Sequence, residues 1–191
     1  MYNNKYRILK FRNKEYGELT MLIRKTTTAD IAEITEIYEQ AKRALKADGV
    51  DQWQNGYPNE ESLKSDIENN MSYVVVEENG NISEIVGTAA LAFGIEPTYN
   101  KVFDGGWTTN EPYGFIHRVA VSEKFKGRGI VASLFAELER QAKKKNVHSL
   151  RIDTHRQNLS MQKAVSKNSY KHIGIIYLPD GAERLAFEKL I

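Results

Sequence analysis

The sequence has no cysteine among its 191 residues. This absence excludes disulfide bonds, cysteine-ligated zinc sites and any group transfer through an enzyme-bound cysteine thioester. An excess of one charge sign is also missing, because 27 Lys and Arg residues against 25 Asp and Glu residues give a net charge of +2. Since no basic stripe interrupts this balance, we expect no nucleic-acid partner.

Long apolar runs are lacking as well. No stretch approaches the roughly 18 consecutive apolar residues of a membrane span, and the N-terminal residues contain no apolar signal-peptide core. We therefore expect no membrane partner and a cytoplasmic location. The composition, 41% apolar and 27% charged, is typical of one globular domain with a substantial core.

The first twenty residues are polar and basic, with little periodicity, and Met21 stands directly before the first strand-like run, Leu22 to Lys25. We predict that residues 1–20 form an N-terminal extension, which is either a loosely held arm or a segment upstream of the true start at Met21. Residues 21–191 are predicted to form a single domain.

Apolar residues at helical spacing predict a first helix over 27–46, with Thr27 and Asp30 as a capping box. The remaining periodicities predict helices at 60–69, 129–145 and 158–167, and strands at 72–77, 85–93, 113–121, 149–154, 170–177 and 182–189. Hairpins imply antiparallel neighbours and strand–helix–strand units imply parallel ones. The fold class is therefore α/β with a mixed sheet.

The strongest local pattern is a strand-to-helix turn with two glycines, Gly127 and Gly129, ahead of an amphipathic helix. Glycine lets the backbone approach a ligand, and the free N–H groups of a helix's first turn favour an anion. Lys124, Lys126 and Arg128 add positive charge. The turn matches neither the P-loop nor the GxGxxG pattern. We interpret it as a pyrophosphate cradle, with an exposed basic turn as the alternative.

This turn resembles the Arg/Gln-x-x-Gly-x-Gly/Ala signature of the Gcn5-related N-acetyltransferase (GNAT) family, with Lys126, Gly129 and Val131 at its three defined positions. The order of elements from Leu22 to Ile191 is also similar to that family. The resemblance implies a mixed, mostly antiparallel central sheet with helices on both faces and a splayed central strand pair. It also implies acetyl-CoA as acetyl donor, held by Val119, Val121, Lys126, Gly127, Arg128, Gly129, Ile130, Val131 and Asn158.

Acetyl transfer to an amine needs a base, and His117 is the first candidate because an imidazole titrates near pH 6.5. The alternative is a structural histidine on a buried strand. Asp153 and His155 end the next strand and are predicted to line the same cleft or to hold a cationic acceptor; we predict no metal site there. The family's general-acid tyrosine, seven positions after Asn158, is replaced here by Val165.

The loop between the first two helices resembles the acceptor wall of the family. Its predicted substrate contacts are Asp51, Gln52, Trp53 and Tyr57. The alternative is that Trp53 is a core plug and that Asp51 and Gln52 cap the turn. The long polar stretch from 94 to 112 contains Trp107, a further predicted acceptor contact.

We therefore expect an acetyl-CoA-dependent N-acetyltransferase that acts by direct transfer on an amine of a small molecule or protein. The alternative is a non-catalytic acyl-CoA-binding or sensing module. Homodimers are common in the resembling family, so a homodimer is the assembly that the resemblance suggests. Aminoglycoside, polyamine, amino acid and protein N-terminus all stay open as acceptors.

Overall fold

A computed structural model describes residues 7–13, 17–80 and 82–191. Its strands are β1 (Arg7–Asn13), β2 (Gly17–Lys25), β3 (Ser72–Asn79), β4 (Ile82–Phe93), β5 (Gly114–Val121), β6 (Ser149–Thr154), β7 (Lys171–Tyr177) and β8 (Glu183–Leu190). Its α-helices are α1 (Ile31–Ala47), α2 (Glu60–Glu68), α3 (Ile130–Lys144) and α4 (Leu159–Lys167). Within these residues, every predicted helix and strand is present at nearly the predicted place.

The strands form one sheet in the order β1-β2-β3-β4-β5-β6-β8-β7. Neighbouring strands are antiparallel except for β5 and β6, which are parallel. This parallel pair keeps register only where Gly114 faces Leu150 and Phe115 faces Arg151, and the strands then part. The predicted mixed, mostly antiparallel sheet with a splayed central pair is thus confirmed.

Helices cover both faces of the sheet, as predicted. The apolar sides of α1 and α2 pack on one face, against a cluster that includes Val74, Val76 and Ala120. The other face packs against α3, in a larger cluster that includes Ile116 and Leu150. Among the described residues, no helix has the length and apolar character that crossing a membrane requires.

The N-terminal prediction needs correction. The boundary predicted between residues 20 and 21 lies inside β2, which begins at Gly17 and pairs with both β1 and β3. The described part of the extension is therefore not a loosely held arm, because its backbone hydrogen bonds continue the sheet. Residues 1–6 and 14–16 lie outside the described residues. The single domain over 21–191 stays a prediction.

The start of α1 follows the predicted capping box. The Thr27 backbone N–H donates to Asp30 Oδ2 at 2.7 Å, and a 3₁₀ turn over Thr28–Asp30 precedes the helix. Asp30 is held in turn by two hydrogen bonds from Arg24 of β2, at 2.7 and 2.9 Å. The end of β2 and the start of α1 are therefore fixed to each other.

The long segment between β4 and β5 packs on the sheet rather than forming an open loop. Phe103 exchanges two backbone hydrogen bonds of 2.8 Å with Ile175 of β7, and the Gly106 N–H donates to Ile173 O at 3.0 Å. This anchoring brings Tyr99 over the sheet, where its side chain is fully buried against Ile176 and Ala186. The segment therefore fixes one wall of the site described below.

We predict that Gly105→Ala destabilises the protein by about 1–3 kcal/mol, the usual range for overpacking. A Cβ at Gly105 would lie 1.9 Å from Ile173 O, so the segment would have to leave β7. Gly106→Ala is the matched control, because a Cβ there meets nothing within 4 Å. Urea unfolding of both variants tests this. Equal unfolding midpoints for the two alanine variants would contradict it.

Candidate active site

A cleft of about 840 Å³ opens where β5 and β6 part. Its walls come from β5, the turn before α3, helix α4, the loop between α1 and α2, and the β7–β8 hairpin. Elements far apart in the sequence therefore meet at one opening. The cleft is continuous from the glycine turn to the end of β6, which makes it large enough for an extended ligand.

The glycine turn lies at one end of this cleft. Gly127 and Gly129 both have a φ of +80°, a conformation that favours glycine, and a Cβ at either position would meet nothing within 4 Å. The turn leads into the first residues of α3, whose N–H groups have no intrahelical acceptor. Lys126, Ile130 and Val131 also line the cleft. This surface is suited to an anionic group.

Arg128 does not share that surface. Its guanidinium lies 4.8 Å from the Phe125 ring centre, and Nη1 is 3.9 Å from Glu77 Oε1. Arg128 and Lys124, both predicted to add positive charge at the turn, are missing from the cleft lining. Because its partner Glu77 lies on β3, the Arg128 side chain turns back towards the sheet.

The free edge of β5 faces the opening. The Ser122 N–H donates to Val86 O of β4 at 3.0 Å. Since backbone groups alternate along a strand, the N–H and C=O of Val121 point to the opposite edge, where β6 has left. Val119 and Val121 both line the cleft. An extended ligand can therefore hydrogen-bond to this edge as a further strand would.

Asn158 and Gln52, predicted for different ligands, contact each other. Asn158 caps α4 through Oδ1, which accepts from Met161 N at 3.0 Å, and its Nδ2 donates to Gln52 Oε1 at 3.0 Å. Gln52 Oε1 also lies 3.4 Å from the His155 N. The acceptor loop is thereby tied to the turn between β6 and α4, and both side chains line the cleft.

Trp53 packs in the fold and also borders the cleft, while its contact with an acceptor stays a prediction. Its ring packs edge-on against Tyr38 of α1, with the ring centres 6.0 Å apart, and it also lines the cleft. Asp51 lies exposed at the rim, and Tyr57 lines the wall with its hydroxyl hydrogen-bonded to Arg118. The structure thus brings all four residues of the predicted acceptor loop to the cleft.

Arg118 sits at a β-bulge of β5. It has a φ of +54°, and the register between β4 and β5 shifts at this point, between Thr88 and Ala90. Its guanidinium makes two hydrogen bonds of 2.5 Å to the Asp66 carboxylate on α2. The Asp66 and Arg118 side chains are 4% and 11% exposed. This buried pair joins the bulge to α2.

His117 lies one residue before the bulge, and 23% of its side chain is exposed. Burial lowers the pKa of His117 from its ordinary value of 6.5, and it outweighs the opposing field of Asp153. Arg118 lowers the pKa further, whereas Glu96 and Asp66 act against it. The imidazole is therefore neutral at pH 7 and able to accept a proton.

Asp153 faces His117 across the opening. The distance from His117 Nε2 to Asp153 Oδ1 is 3.9 Å, which is too long for a hydrogen bond. The same oxygen accepts a hydrogen bond of 2.8 Å from the hydroxyl of Tyr99. Burial and the Asp153 carboxylate raise the pKa of Tyr99, so this hydroxyl stays protonated and orients the carboxylate.

Besides Arg128, two further predicted site residues, His155 and Trp107, do not line the cleft. His155 accepts a hydrogen bond from Gln157 N at its Nδ1 (3.1 Å), which keeps the ring at the β6–α4 turn. The prediction that Trp107 contacts the acceptor needs correction, because Trp107 does not line the cleft. Its indole N–H donates to Tyr99 O at 2.7 Å, and its ring lies 4.1 Å from the Arg151 guanidinium. Trp107 covers a buried ion pair instead of a ligand site.

Comparison with known proteins gives the family. The model of the acetyltransferase (GNAT) family matches residues 31–168. A solved GNAT-family acetyltransferase from Streptococcus agalactiae is 32% identical, with 90% of this chain and 95% of that chain covered and a TM-score of 0.80. The chain belongs to the GNAT acetyltransferase family. A search of curated proteins found no match.

Two more distant structures share the GNAT fold. A putative acetyltransferase from Staphylococcus aureus is 24% identical over 88% of this chain and 97% of its own, with a TM-score of 0.65. A putative acetyltransferase from Salmonella typhimurium, solved with its cofactor acetyl-CoA, is 20% identical over 89% of this chain and 93% of its own, with a TM-score of 0.61. The sheet and cleft are thus those of the GNAT fold.

Sequence reasoning missed several residues of the GNAT cleft. Additional charged lining residues are Asp48, Glu96, Arg118, Lys163, Lys167, Asp180 and Arg184. The role of Tyr99 in orienting Asp153 was also missed, because its partner lies 54 positions away in the sequence. Val165, at the position of the tyrosine expected in the GNAT family, is fully buried in the core and provides no proton donor.

We predict that Asp66→Asn destabilises the protein by about 3–5 kcal/mol, because it leaves the Arg118 guanidinium without its buried carboxylate. Glu60→Gln is the matched control on the same helix. The Glu60–Lys64 pair is more than half exposed and should contribute below about 1 kcal/mol. Denaturant unfolding of the two variants checks this, and a loss of similar size in both would contradict the assigned role of Asp66.

Proposed function

We propose that this protein transfers the acetyl group of acetyl-CoA directly to an amine acceptor, which is a small molecule or a protein. The observation that carries the proposal is that the glycine turn at the start of α3 and the His117–Asp153 pair line one continuous cleft. The relative from Salmonella with the same fold was solved with acetyl-CoA, which supports this donor. The homodimer suggested by the resemblance stays a prediction.

The donor would lie along the parted strands. Gly127, Gly129 and the first N–H groups of α3 would receive the pyrophosphate, and Lys126 would supply positive charge. The free edge of β5 at Val119 and Val121 would pair with the pantetheine arm, and Asn158 would border it from α4. This arrangement directs the thioester towards His117.

The acceptor amine would approach from the loop that contains Trp53. In the transfer, the neutral imidazole of His117 takes a proton from the ammonium, and the amine nitrogen attacks the thioester carbonyl carbon. The C–S bond then breaks and the nitrogen loses its second proton to water, which leaves the acetylated amine, while the coenzyme thiolate takes up a proton from water. With a thiol pKa of about 8.5, the thiolate leaves without a dedicated acid. This is consistent with Val165 in place of a tyrosine.

A non-catalytic acyl-CoA-binding module is the second candidate function. The burial of Val165 and the side chain of Val131 in the turn favour it, since both depart from the family's pattern. Release of free thiol from acetyl-CoA in the presence of any amine separates the two functions, because a sensing module binds the donor without turnover.

We predict that Gly129→Trp abolishes acetyl-CoA binding. The indole would project into the cleft, where a Cβ at this position meets open space. The matched control is Gly80→Trp in the β3–β4 turn, where glycine also has a positive φ (+61°) and an open Cβ position but lies outside the cleft. Isothermal titration calorimetry measures binding to each. Retained binding by Gly129→Trp, or none by the wild type, would overturn the donor site.

We predict a pH profile of kcat/KM that rises through an apparent pKa below 6.5. Because burial lowers the pKa of His117, activity should be lost only as pH falls through that lowered value. His117→Gln should remove this rise of kcat/KM at low pH, the acidic limb of the profile. It should also lower kcat by about 10²- to 10⁴-fold, the usual range for a general base. A second limb at higher pH belongs to the acceptor amine and should persist. An unchanged low-pH limb in the variant would exclude His117 as the base.

A further inference from the structure

Arg184 of β8 is a buried cation that faces the cleft. It is 7% exposed and lines the opening. Its Nη1 donates to Glu183 O at 2.8 Å, and no carboxylate of the described residues lies within 4.0 Å of it. Glu183 itself is engaged by Arg156, with 2.6 Å between Nε and Oε1. A buried charge without a counterion is costly, so Arg184 is suited to an anion that arrives with a ligand.

Arg184 lines the cleft and has donors that its contact with Glu183 does not use. A guanidinium has five N–H donors in a planar fork that fits a carboxylate with two parallel hydrogen bonds. No nitrogen of Arg184 is both enclosed by protein and unpaired. Its donors outside the Glu183 contact therefore reach the open space of the cleft, where a ligand can accept from them.

The opposite charge lies nearby, at Asp153 and Glu96. Asp153 Oδ1 accepts from Tyr99, and Glu96 Oε1 accepts from the Thr98 hydroxyl at 2.9 Å. Within the described part of the chain, no Lys or Arg nitrogen lies within 4.0 Å of either carboxylate. Both groups line the cleft beside His117. This end of the cleft is therefore suited to hold an ammonium.

The register of β6 and β8 sets the spacing between the two charges. Asp153 pairs with Ala186, and Arg184 stands two residues before Ala186, on the same face of the sheet. Such diagonal neighbours have their Cβ atoms about 7–8 Å apart. Because Ala186 is small, no bulky side chain of β8 separates them. A cation site and an anion site thus lie within the length of one small molecule.

The donor does not account for Arg184. The pyrophosphate has its own donors in the glycine turn and the first turn of α3, on the other side of the parted strands. Arg184 belongs instead to the sheet face of Asp153, as the shared register shows. Its anion is therefore expected on the acceptor.

We propose that the acceptor is a small molecule that carries both an ammonium and a carboxylate, as an amino acid does. Asp153 and Glu96 would hold the ammonium beside His117, and Arg184 would hold the carboxylate. This inference rests on the proposed acetyltransferase function. In the reaction the ammonium nitrogen loses two protons, one to His117 and one to water, and gains the acetyl group as the C–S bond breaks and the coenzyme leaves as a thiolate. The carboxylate stays ionised on Arg184 throughout.

The test compares amino acids with their carboxamides. The wild type is assayed for thiol release from acetyl-CoA with L-methionine, L-phenylalanine, L-lysine and 4-aminobutyrate, each beside its primary amide. Near neutral pH a larger fraction of the amide is present as the free amine, because its amino group is less basic, so a preference for the acid is not due to protonation. We expect kcat/KM to be at least about 10-fold higher for one or more of the free acids, the scale of a charged hydrogen bond.

The variant Arg184→Gln should remove this preference. We expect its kcat/KM for the preferred acid to fall at least about 10-fold and its value for the amide to change by less than about 3-fold. Arg184→Lys keeps the charge but lacks the planar fork of donors. Its kcat/KM for the preferred acid should therefore lie between the values of the wild type and of Arg184→Gln. Arg156→Gln is the control, because Arg156 is exposed and lies outside the cleft lining. Acetyl-CoA calorimetry on every variant shows that its donor site is intact.

Binding of the same panel to the protein with bound CoA gives a second readout. Tighter binding of acids than amides by the wild type, lost in Arg184→Gln, would support the inference. Equal use of acids and amides, a preference that survives Arg184→Gln, or neither binding nor turnover of any acid by a protein that binds acetyl-CoA would each overturn it. Failure of the wild type to bind acetyl-CoA would instead refute the proposed function itself, and this inference with it.

Discussion

The parallel strands β5 and β6 keep register for two residue pairs, Gly114 with Leu150 and Phe115 with Arg151. Beyond them a buried backbone edge has lost its partner strand, and such an edge is stable only if water or a ligand supplies hydrogen bonds. The bulge at Arg118 maintains the separation, because it redirects β5 and is held by Asp66 of α2. The cleft is therefore a consequence of sheet geometry, and α2 contributes to the site without entering it.

Charge is distributed unevenly around this opening. Lys126 and the start of α3 make one end attractive to anions, whereas Glu96 and Asp153 make the region beside His117 attractive to cations. His117 lies among acidic groups, yet burial keeps its pKa below the ordinary value. The imidazole is thus neutral next to carboxylates that would attract a cation, so under the proposed function an ammonium would be bound and deprotonated at the same place.

The fold from Thr27 onward could be predicted from periodicity and turn chemistry, and the glycine turn located the end of the cleft that we propose for the donor. The roles of Tyr99 and Trp107 could not be predicted in the same way. Both lie in a polar segment of similar composition, but Tyr99 reaches Asp153 whereas Trp107 covers the Arg151–Glu188 pair. These roles depend on contacts between β6, β8 and a distant loop, for which local sequence contains no signal. Arg184 escaped notice for the same reason, since its burial appears only after β8 is paired.

Several charged groups of the cleft lack a protein counterion among the described residues, and Glu96, Asp153 and the buried Arg184 are three of them. The other buried charges in the described part of the chain are paired, as in Arg118 with Asp66 and Arg151 with Glu188. This contrast indicates that the unpaired charges of the cleft have a function, because an uncompensated charge lowers the stability of the fold and persists where function requires it. Charges of both signs on one sheet face are what the proposed acceptor requires, because it carries an ammonium and a carboxylate in one molecule.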